Sequence, residues 1–274
     1  MELIKIKKHE INMDVYFVEL FQEMIVINND YGGISVLDHN LKLLKEIQIT
    51  ENMLIYLSYK NVVTNELVLY CSDNNSLVYI DLNKFIFKKL VIDAELPNFS
   101  KCYYWKGEEI VFVTYDGNFF KYNTEKNTLF SEDISKIKIE YFEFYQVWVR
   151  TRGLPVITYN MNNFEIVYKG KRNNHYYFFN ANSVEKFITS SVKPHDVVLY
   201  NGLVILVQEE VISINFQEQC LLLNNVDNTI FAKCKVLKSQ DDFMILVLSS
   251  HNSEIQSELT CYKLKVEDKV RTRH

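Results

Sequence analysis

Short, strongly apolar runs recur along the chain at a nearly constant spacing. Six of them stand out, MIVIN, LVLYC, IVFVT, LPVIT, LVILV and MILVL, and they begin at Met24, Leu67, Ile110, Leu154, Leu203 and Met244. Successive runs start 41 to 49 residues apart, close to the roughly 40–45 residues of one four-stranded blade in a β-propeller. The spacing therefore predicts six similar structural units.

Each unit repeats the same order of apolar and polar segments. A strand of moderate apolarity comes first, and after a polar turn the most apolar run forms the second strand. A third and a fourth strand complete the unit, as in LVLYCSDNNSLVYIDLNKFIFKKLVI at residues 67–92. Bounded alternating runs of this kind favour β-strands, and no long segment carries a helical period.

The turns between these strands are rich in Asp, Asn and Gly, which accept the positive φ that tight hairpins require. Asp30, Asp73 and Asp116 hold matching positions after the second strand in three units. We interpret them as turn residues in preference to cation ligands, because Asn and Met fill the same position elsewhere. Four further Asp and Asn residues close third strands and begin the next turn: Asp38, Asp81, Asn123 and Asn215.

The two ends of the chain complement each other. The last unit lacks a clear fourth strand, and ELIKIKK at residues 2–8 is a surplus strand. Pairing the two would remove open sheet edges, so we predict an all-β, six-bladed propeller of four-stranded antiparallel blades over residues 1–274, closed by the N-terminal strand. The alternative is seven blades, with one around residues 176–191. The repeat is irregular at residues 183–194, which we interpret as an insertion, and at the hairpin loop 251–258.

Composition narrows the class of protein. The 274 residues are 48% hydrophobic and include 18 Tyr and 18 Phe but only 7 Gly and 3 Pro. A net charge of −5 argues against a broad nucleic-acid interface, which needs dense positive charge. No run approaches the roughly 20 apolar residues of a membrane span, and the N-terminal segment lacks the apolar core of a signal peptide.

The cysteines and histidines form no recognisable site. Five scattered cysteines without CxxC spacing predict buried free thiols and a cytoplasmic location. The six histidines form neither HxH nor HExxH, so no local metal site is predicted. His195 precedes Asp196, but no serine elbow accompanies that pair. We therefore expect no cofactor and name no catalytic residue.

Residues 67–92, and VFVTYDGNFFKYNTEKNTLF from Val111, resemble the repeats of the divergent bacterial propellers of the YVTN and quinoprotein type. The resemblance implies a propeller fold and no particular activity, because propellers host enzymes and scaffolds alike. The Gly-His and Trp-Asp dipeptides of WD40 repeats, the tryptophans of quinoprotein dehydrogenases and the sialidase Asp-box are absent from the sequence.

One aromatic and basic segment departs from the repeat, YFEFYQVWVRTRG at residues 141–153. In an extended strand Trp148, Arg150 and Arg152 project to one face. Lys171, Arg172 and Tyr176 follow nearby in sequence. Because Trp, Tyr and Arg are enriched at interface hot spots, we predict that these six residues bind a partner. The alternative is a tryptophan packed between blades with solvated arginines.

Two functions remain. The first is a monomeric, non-catalytic protein-binding module with no nucleic-acid or membrane partner. Its most specific form is a cytoplasmic immunity or inhibitor protein that neutralises a toxin. The second is a metal-dependent, lactonase-like hydrolase or small-ligand binder with a composite site in the central channel, which requires several carboxylate, Asn or His side chains converging on the axis.

Overall fold

The fold was obtained as a computed structural model. The structure describes residues 1–92, 97, 99–114, 118–132, 155–160, 163–172, 175–180, 186–190, 194, 196–200, 202–225, 229–239, 242–251 and 256–266. Regular structure in this part of the chain consists of β-strands and one turn of 3-10 helix, Ser72–Asn74. Within the same residues, no helix has the length and apolarity to cross a bilayer.

The strands are numbered in chain order. In chain order they are β1 (Glu2–Ile11), β2 (Val18–Leu20), β3 (Ile25–Asn29), β4 (Gly33–Leu37), β5 (Leu43–Gln48), β6 (Leu57–Asn61), β7 (Glu66–Cys71), β8 (Ser76–Asp81), β9 (Ile86–Val91), β10 (Phe99–Lys106), β11 (Glu109–Thr114), β12 (Phe119–Asn123), β13 (Thr128–Glu132), β14 (Pro155–Asn160), β15 (Asn163–Arg172), β16 (His175–Asn180), β17 (Lys186–Ser190), β18 (Asp196–Tyr200), β19 (Leu203–Val207), β20 (Val211–Phe216), β21 (Gln219–Asn224), β22 (Thr229–Ser239), β23 (Asp242–His251) and β24 (Ser257–Lys265).

The described strands pair into six four-stranded antiparallel sheets. Sheet 1 is β2–β5, sheet 2 is β6–β9, sheet 3 is β10–β13, sheet 4 is β14–β17, and sheet 5 is β18–β21. Sheet 6 combines β22–β24 with β1. The all-β class and the four-stranded antiparallel units predicted from the repeat are therefore present.

Burial follows the position of a strand within its sheet. In β7, the second strand of sheet 2, all residues after Glu66 are buried, whereas the fourth strand β9 is exposed at Ile86, Phe87 and Val91. The second strand is covered by neighbouring sheets on both faces, which explains why the most apolar runs in the sequence fall there.

The N-terminal strand completes the last sheet. Strand β1 pairs antiparallel with β24, from Glu2 opposite Lys265 to Ile11 opposite Ser257, with a bulge between Lys5 and Lys7. This is the pairing of chain ends expected from the surplus strand, and it covers the hydrogen-bonding edge that β24 would otherwise expose.

Hydrophobic clusters lie between successive sheets. They join sheets 1 and 2, sheets 6 and 1, sheets 5 and 6, and sheets 2 and 3. Fully buried members of these four clusters include Ile34 with Val78, Leu20 with Leu259, Ile214 with Ile245, and Val68 with Phe112. Sheets 5, 6, 1, 2 and 3 thus pack face to face in that order, so the last sheet packs against the first.

The fourth unit differs from its prediction. The run that begins at Leu154 supplies β14, the first strand of sheet 4, where the repeat predicted a second strand. The interpretation of residues 183–194 as an insertion is wrong, since Lys186–Ser190 forms β17, the fourth strand of that sheet. The prediction started this unit one strand too early, because it took the most apolar run for the second strand and a first strand can be equally apolar. In the hairpin at 251–258, residues 252–255 lie outside the described residues.

Turn geometry accounts for most of the polar repeat positions. Asp30 has a φ of 44°, as expected of a hairpin turn, and Asp38 Oδ1 accepts from the backbone N–H groups of Asn40 and Lys42, both at 2.8 Å. In the second unit Asn75 has the positive φ, while Asp73 lies in the 3-10 turn. Asp116 is outside the described residues.

Gly33 is the glycine whose replacement should disturb the sheets most. A Cβ there would lie 2.0 Å from the carbonyl oxygen of Ile47, so Gly33→Ala must displace the β4–β5 backbone. We expect a loss of about 2 kcal/mol in the free energy of unfolding by urea. Gly107→Ala is the control: its φ is +57° with no heavy atom within 4 Å of the new Cβ, and it should cost about 1 kcal/mol. Equal losses would contradict the β4–β5 packing.

Candidate functional site

The first strands of neighbouring sheets lie side by side. Strand β22 is adjacent to both β18 and β2, β10 is adjacent to β6, and β14 is adjacent to β18. Side chains from these first strands therefore meet, although their sequence positions are far apart. The charged residues of β2, β6 and β22 form one such meeting point.

Glu19 lies at the centre of this group. Its Oε1 accepts hydrogen bonds from Ser58 Oγ at 2.7 Å and from Lys235 Nζ at 2.9 Å, and its Oε2 lies 2.8 Å from Lys60 Nζ. Only 7% of the Glu19 side chain is exposed, against 22% for Lys60 and 29% for Lys235. We call these four residues the Glu19 cluster; through it, one carboxylate joins sheets 1, 2 and 6.

Two lysines extend these links to the backbone of sheet 1. Lys60 Nζ also donates to the Leu20 carbonyl at 2.9 Å and lies 5.7 Å from the centre of the Phe21 ring. Lys233 Nζ donates to the Tyr16 carbonyl at 2.6 Å. Lys233 and Lys235 alternate along β22 and so project to the same face, which brings both ammonium groups from sheet 6 toward sheet 1.

The charged groups of the cluster shift one another's pKa values. Burial alone would raise the pKa of Glu19, but Lys235 and Lys60 outweigh it and hold that pKa well below its usual range. Burial lowers the pKa of Lys60, and burial with the charge of Lys235 lowers that of Lys233. Burial also acts to lower the pKa of Lys235, but attraction to Glu19 and Asp196 outweighs burial, so the pKa of Lys235 is raised. Glu19 is consequently ionised near neutral pH and paired with two ammonium groups, which suits a clamp and not an acid–base catalyst.

A second feature occupies one end of sheets 1 and 2. The rings of Tyr16 and Tyr31 are stacked, with centroids 5.8 Å apart and planes 17° apart. The Tyr16 hydroxyl donates to the Met53 carbonyl at 3.0 Å, and the Met53 N–H donates to the Tyr31 carbonyl at 2.7 Å. The Tyr56 hydroxyl donates to Asp73 Oδ1 at 2.9 Å. We call Tyr16, Tyr31 and Tyr56 the tyrosine face.

Local structure explains why these side chains share one end. Tyr16 and Tyr56 precede the first strands β2 and β6, and Tyr31 lies in the β3–β4 turn. Neighbouring antiparallel strands run in opposite directions, so the start of the first strand and the turn after the second strand lie at the same end of the sheet. Tyr31 and Tyr56 remain 49% and 51% exposed, so both present their rings to solvent.

Buried Asn28 fixes the two segments that carry Tyr16 and Tyr31. Its Oδ1 accepts from the N–H groups of Tyr16 and Phe17 at 3.0 and 3.1 Å. Its Nδ2 donates to the carbonyls of Asp14 and Asp30 at 2.8 and 3.3 Å. A single amide thereby holds the loop before β2 against the β3–β4 turn, which keeps the tyrosine rings in one arrangement.

The residues predicted from sequence to bind a partner are only partly placed. Trp148, Arg150 and Arg152 lie outside the described residues. Lys171 and Arg172 end β15, and Tyr176 lies on β16 directly opposite Lys171. The backbone thus brings Lys171 and Tyr176 together, and the patch as a whole stays a prediction.

Sequence reasoning missed both features that the structure places. A lone Glu inside the apolar stretch VYFVELF and the alternating lysines of TIFAKCKVL were available signals for the Glu19 cluster. Tyr31 sits within the turn NDYGG, where a large aromatic residue has no role in turn geometry. Neither signal identifies its partner, because the contacts cross sheets.

The described cysteines carry no sign of a reactive or metal-binding role. Cys71, Cys102, Cys234 and Cys261 are buried free thiols as predicted, whereas Cys220 is exposed, contrary to the prediction. Burial raises the pKa of Cys71 to about 12, which leaves it unreactive near neutral pH. In the part of the chain that the structure describes, no group of three or more His, Cys, Asp or Glu side chains is placed to hold a metal.

No protein-family model and no curated protein sequence matches the chain. Among solved structures, the β-propeller domain of Myceliophteria thermophila Cps50 (Swd1) is 7% identical with a TM-score of 0.46, covering 94% of this chain and 99% of that one. The WD40 domain of Neurospora crassa Pan2 is 10% identical with a TM-score of 0.46, covering 90% and 74%. A chain of the S. cerevisiae assembly of Dbp5 L327V with Nup159, Gle1 H337R, IP6 and ADP is 12% identical with a TM-score of 0.42, covering 91% and 76%. The resemblance to YVTN and quinoprotein repeats stays a prediction.

Replacing Glu19 by Gln should destabilise the fold, because it leaves Lys60 and Lys235 without their shared counter-charge. We expect a loss of about 3 kcal/mol in urea unfolding at pH 7. Since the folded-state pKa of Glu19 is lowered, the wild-type advantage is complete above the unfolded value of about 4.3 and shrinks as the pH falls below it. Glu46→Gln, at an exposed position on β5, is the control and should change stability by less than about 0.5 kcal/mol. A Glu19→Gln loss equal to the control's would refute the clamp.

Proposed function

We propose that this chain is a non-catalytic, protein-binding β-propeller of six blades, with its ring closed through β1. Face-to-face packing of successive sheets supports the propeller, as do the hydrophobic cluster between sheets 6 and 1 and the Glu19–Lys235 ion pair. Pairing of β1 with β24 supports closure by the chain ends.

The observation that carries the binding function is the fixed, half-exposed tyrosine face. Tyrosine offers a large contact area with only two side-chain torsions, so it loses little entropy when a partner binds. Stacking and hydrogen bonds already fix Tyr16 and Tyr31 to Met53, and Tyr56 to Asp73. Such pre-organisation lowers the cost of association, and aromatic residues of this kind dominate the energetics of protein interfaces.

The carboxylates of the first strands β2 and β18 favour binding over hydrolysis. Glu19 Oε1 accepts from Ser58 and Lys235, and its Oε2 lies 2.8 Å from Lys60 Nζ. Asp196 accepts from the N–H groups of Val197 at 3.0 Å and Cys234 at 3.2 Å. Both carboxylates therefore serve as links between structural elements.

The more specific form of this proposal is that the partner is a toxin domain and the protein a monomeric cytoplasmic inhibitor. Buried free thiols fit a reducing compartment. A toxin gene beside this one, and inhibition of its purified product by this protein, would support that form; a product that stays fully active in its presence would contradict it.

The test replaces the two exposed tyrosines in the full-length chain. Partner capture from the native cell should fall at least about tenfold in the Tyr31→Ala/Tyr56→Ala variant, because hot-spot truncation costs about 2 kcal/mol or more. Val63→Ala is the matched control, since Val63 is 74% exposed in the β6–β7 turn at the opposite end of sheet 2. Circular dichroism verifies that each variant is folded.

Position-specific photo-crosslinking tests the same surface by proximity, so its result does not depend on how tightly the partner binds. A photoreactive residue in place of Tyr31 should label the captured partner, and the same residue in place of Val63 should not. Labelling from position 63 alone would overturn the tyrosine face. So would a capture that survives Tyr31→Ala/Tyr56→Ala but is lost in Lys171→Glu/Arg172→Glu, which would assign binding to the patch predicted from sequence.

A further inference from the structure

The segments that carry the tyrosine face are rich in negative charge. Four exposed carboxylates lie in these segments or in the turn bonded to them, Asp14, Asp30, Glu51 and Asp73. The hydrogen bonds of Asn28 hold the Asp14 and Asp30 segments together, and Asp73 is bonded directly to Tyr56. Burial raises the pKa of Tyr16 to about 12 against a hydrogen bond at Ile55 that lowers it, and Cys71, Tyr31 and Asp14 add to the rise.

Basic side chains are missing from the segments that build this end. Residues 12–41, 49–59 and 61–83 contain no Lys or Arg, although Lys and Arg make up 30 of the 274 residues. Two lysines from other strands approach: Lys233 Nζ is bound to the Tyr16 carbonyl, and Lys89 acts on Cys71 together with Asp73. Four carboxylates against these two ammonium groups leave a local negative potential.

Resting on the proposed function, we propose that the tyrosine face binds an arginine-rich segment of the partner protein. An arginine guanidinium would lie over the exposed ring of the Tyr16–Tyr31 pair, and the flanking carboxylates would accept its N–H donors. Aromatic rings attract cations placed over their faces. Guanidinium stacks on rings and binds carboxylates in a fork, which an ammonium cannot do. The same charge disfavours nucleic acids and anionic membranes.

The arrangement allows the charge to be removed without changing the shape. Asn at position 30 tolerates the positive φ of 44° there, and Asn at position 73 retains an oxygen for the Tyr56 hydroxyl. The Asp30→Asn/Asp73→Asn variant therefore removes two charges from the face and preserves its turns. Glu46→Gln/Glu218→Gln is the matched control, because it removes two exposed charges from elsewhere.

The probe is fluorescein-labelled octa-arginine, measured by fluorescence anisotropy with the full-length protein. At low salt we expect saturable binding that weakens as NaCl is raised to 300 mM, because exposed charges are then screened. Affinity should fall at least tenfold in Asp30→Asn/Asp73→Asn and in Tyr31→Ala, and less than twofold in Glu46→Gln/Glu218→Gln. Octa-lysine should bind more weakly than octa-arginine, and octa-glutamate should not bind.

Equal losses in Asp30→Asn/Asp73→Asn and in the control variant would overturn the inference, since binding would then report only the net charge of the protein. Octa-lysine binding as tight as octa-arginine would overturn the arginine preference. A native partner lost in Tyr31→Ala/Tyr56→Ala but fully retained in Asp30→Asn/Asp73→Asn would overturn the inference while leaving the proposed function in place.

Discussion

One buried carboxylate connects parts of the chain that are otherwise far apart. Glu19 on β2 contacts Ser58 and Lys60 on β6 and Lys235 on β22. Burying such a charge is costly unless counter-charges and hydrogen bonds compensate it, and here the compensating groups come from two other sheets, Ser58 and Lys60 from sheet 2 and Lys235 from sheet 6. The ion pair is therefore favourable only when sheets 1, 2 and 6 are in place together, which makes it a specific determinant of how the first and last sheets meet.

This link also reaches the candidate binding surface. Lys233, two residues before Lys235, donates to the Tyr16 carbonyl, and the Tyr16 ring stacks on Tyr31. Asn28 fixes the same segment from within sheet 1. The contact between first and last sheets thus supports the backbone that presents the tyrosines. Rigid support of this kind is what a pre-organised interface requires.

The repeat in the sequence predicted the four-stranded antiparallel sheets, because strands and hairpin turns depend on local alternation of apolar residues and on turn-forming residues. The strands around Leu67, the turn at Asp30 and the pairing of residues 2–8 with the last unit all follow from such local signals. The fourth unit was displaced by one strand because apolarity does not distinguish a first strand from a second. The cysteine prediction was wrong at Cys220, which falls on an exposed fourth strand.

The candidate sites could not be predicted in the same way. Glu19 and Lys235 are 216 positions apart, and nothing in the period of either strand specifies that they meet. Tyr31 stands out in its turn but nothing in the sequence names its partners: Met53 bonds to Tyr16 and Tyr31, and Asp73 bonds to Tyr56. The acidic character of that surface was hidden in the modest net charge of −5, because lysines on other strands balance it.

The Glu19–Lys235 contact joins the first and last sheets. A double-mutant cycle of Glu19→Gln and Lys235→Met, measured by urea unfolding at pH 7, isolates the strength of this link. We predict a coupling free energy of at least about 1 kcal/mol, as found for residues in one charged network. A coupling below about 0.3 kcal/mol, the additivity expected of distant and independent sites, would show that the two residues do not hold the sheets together.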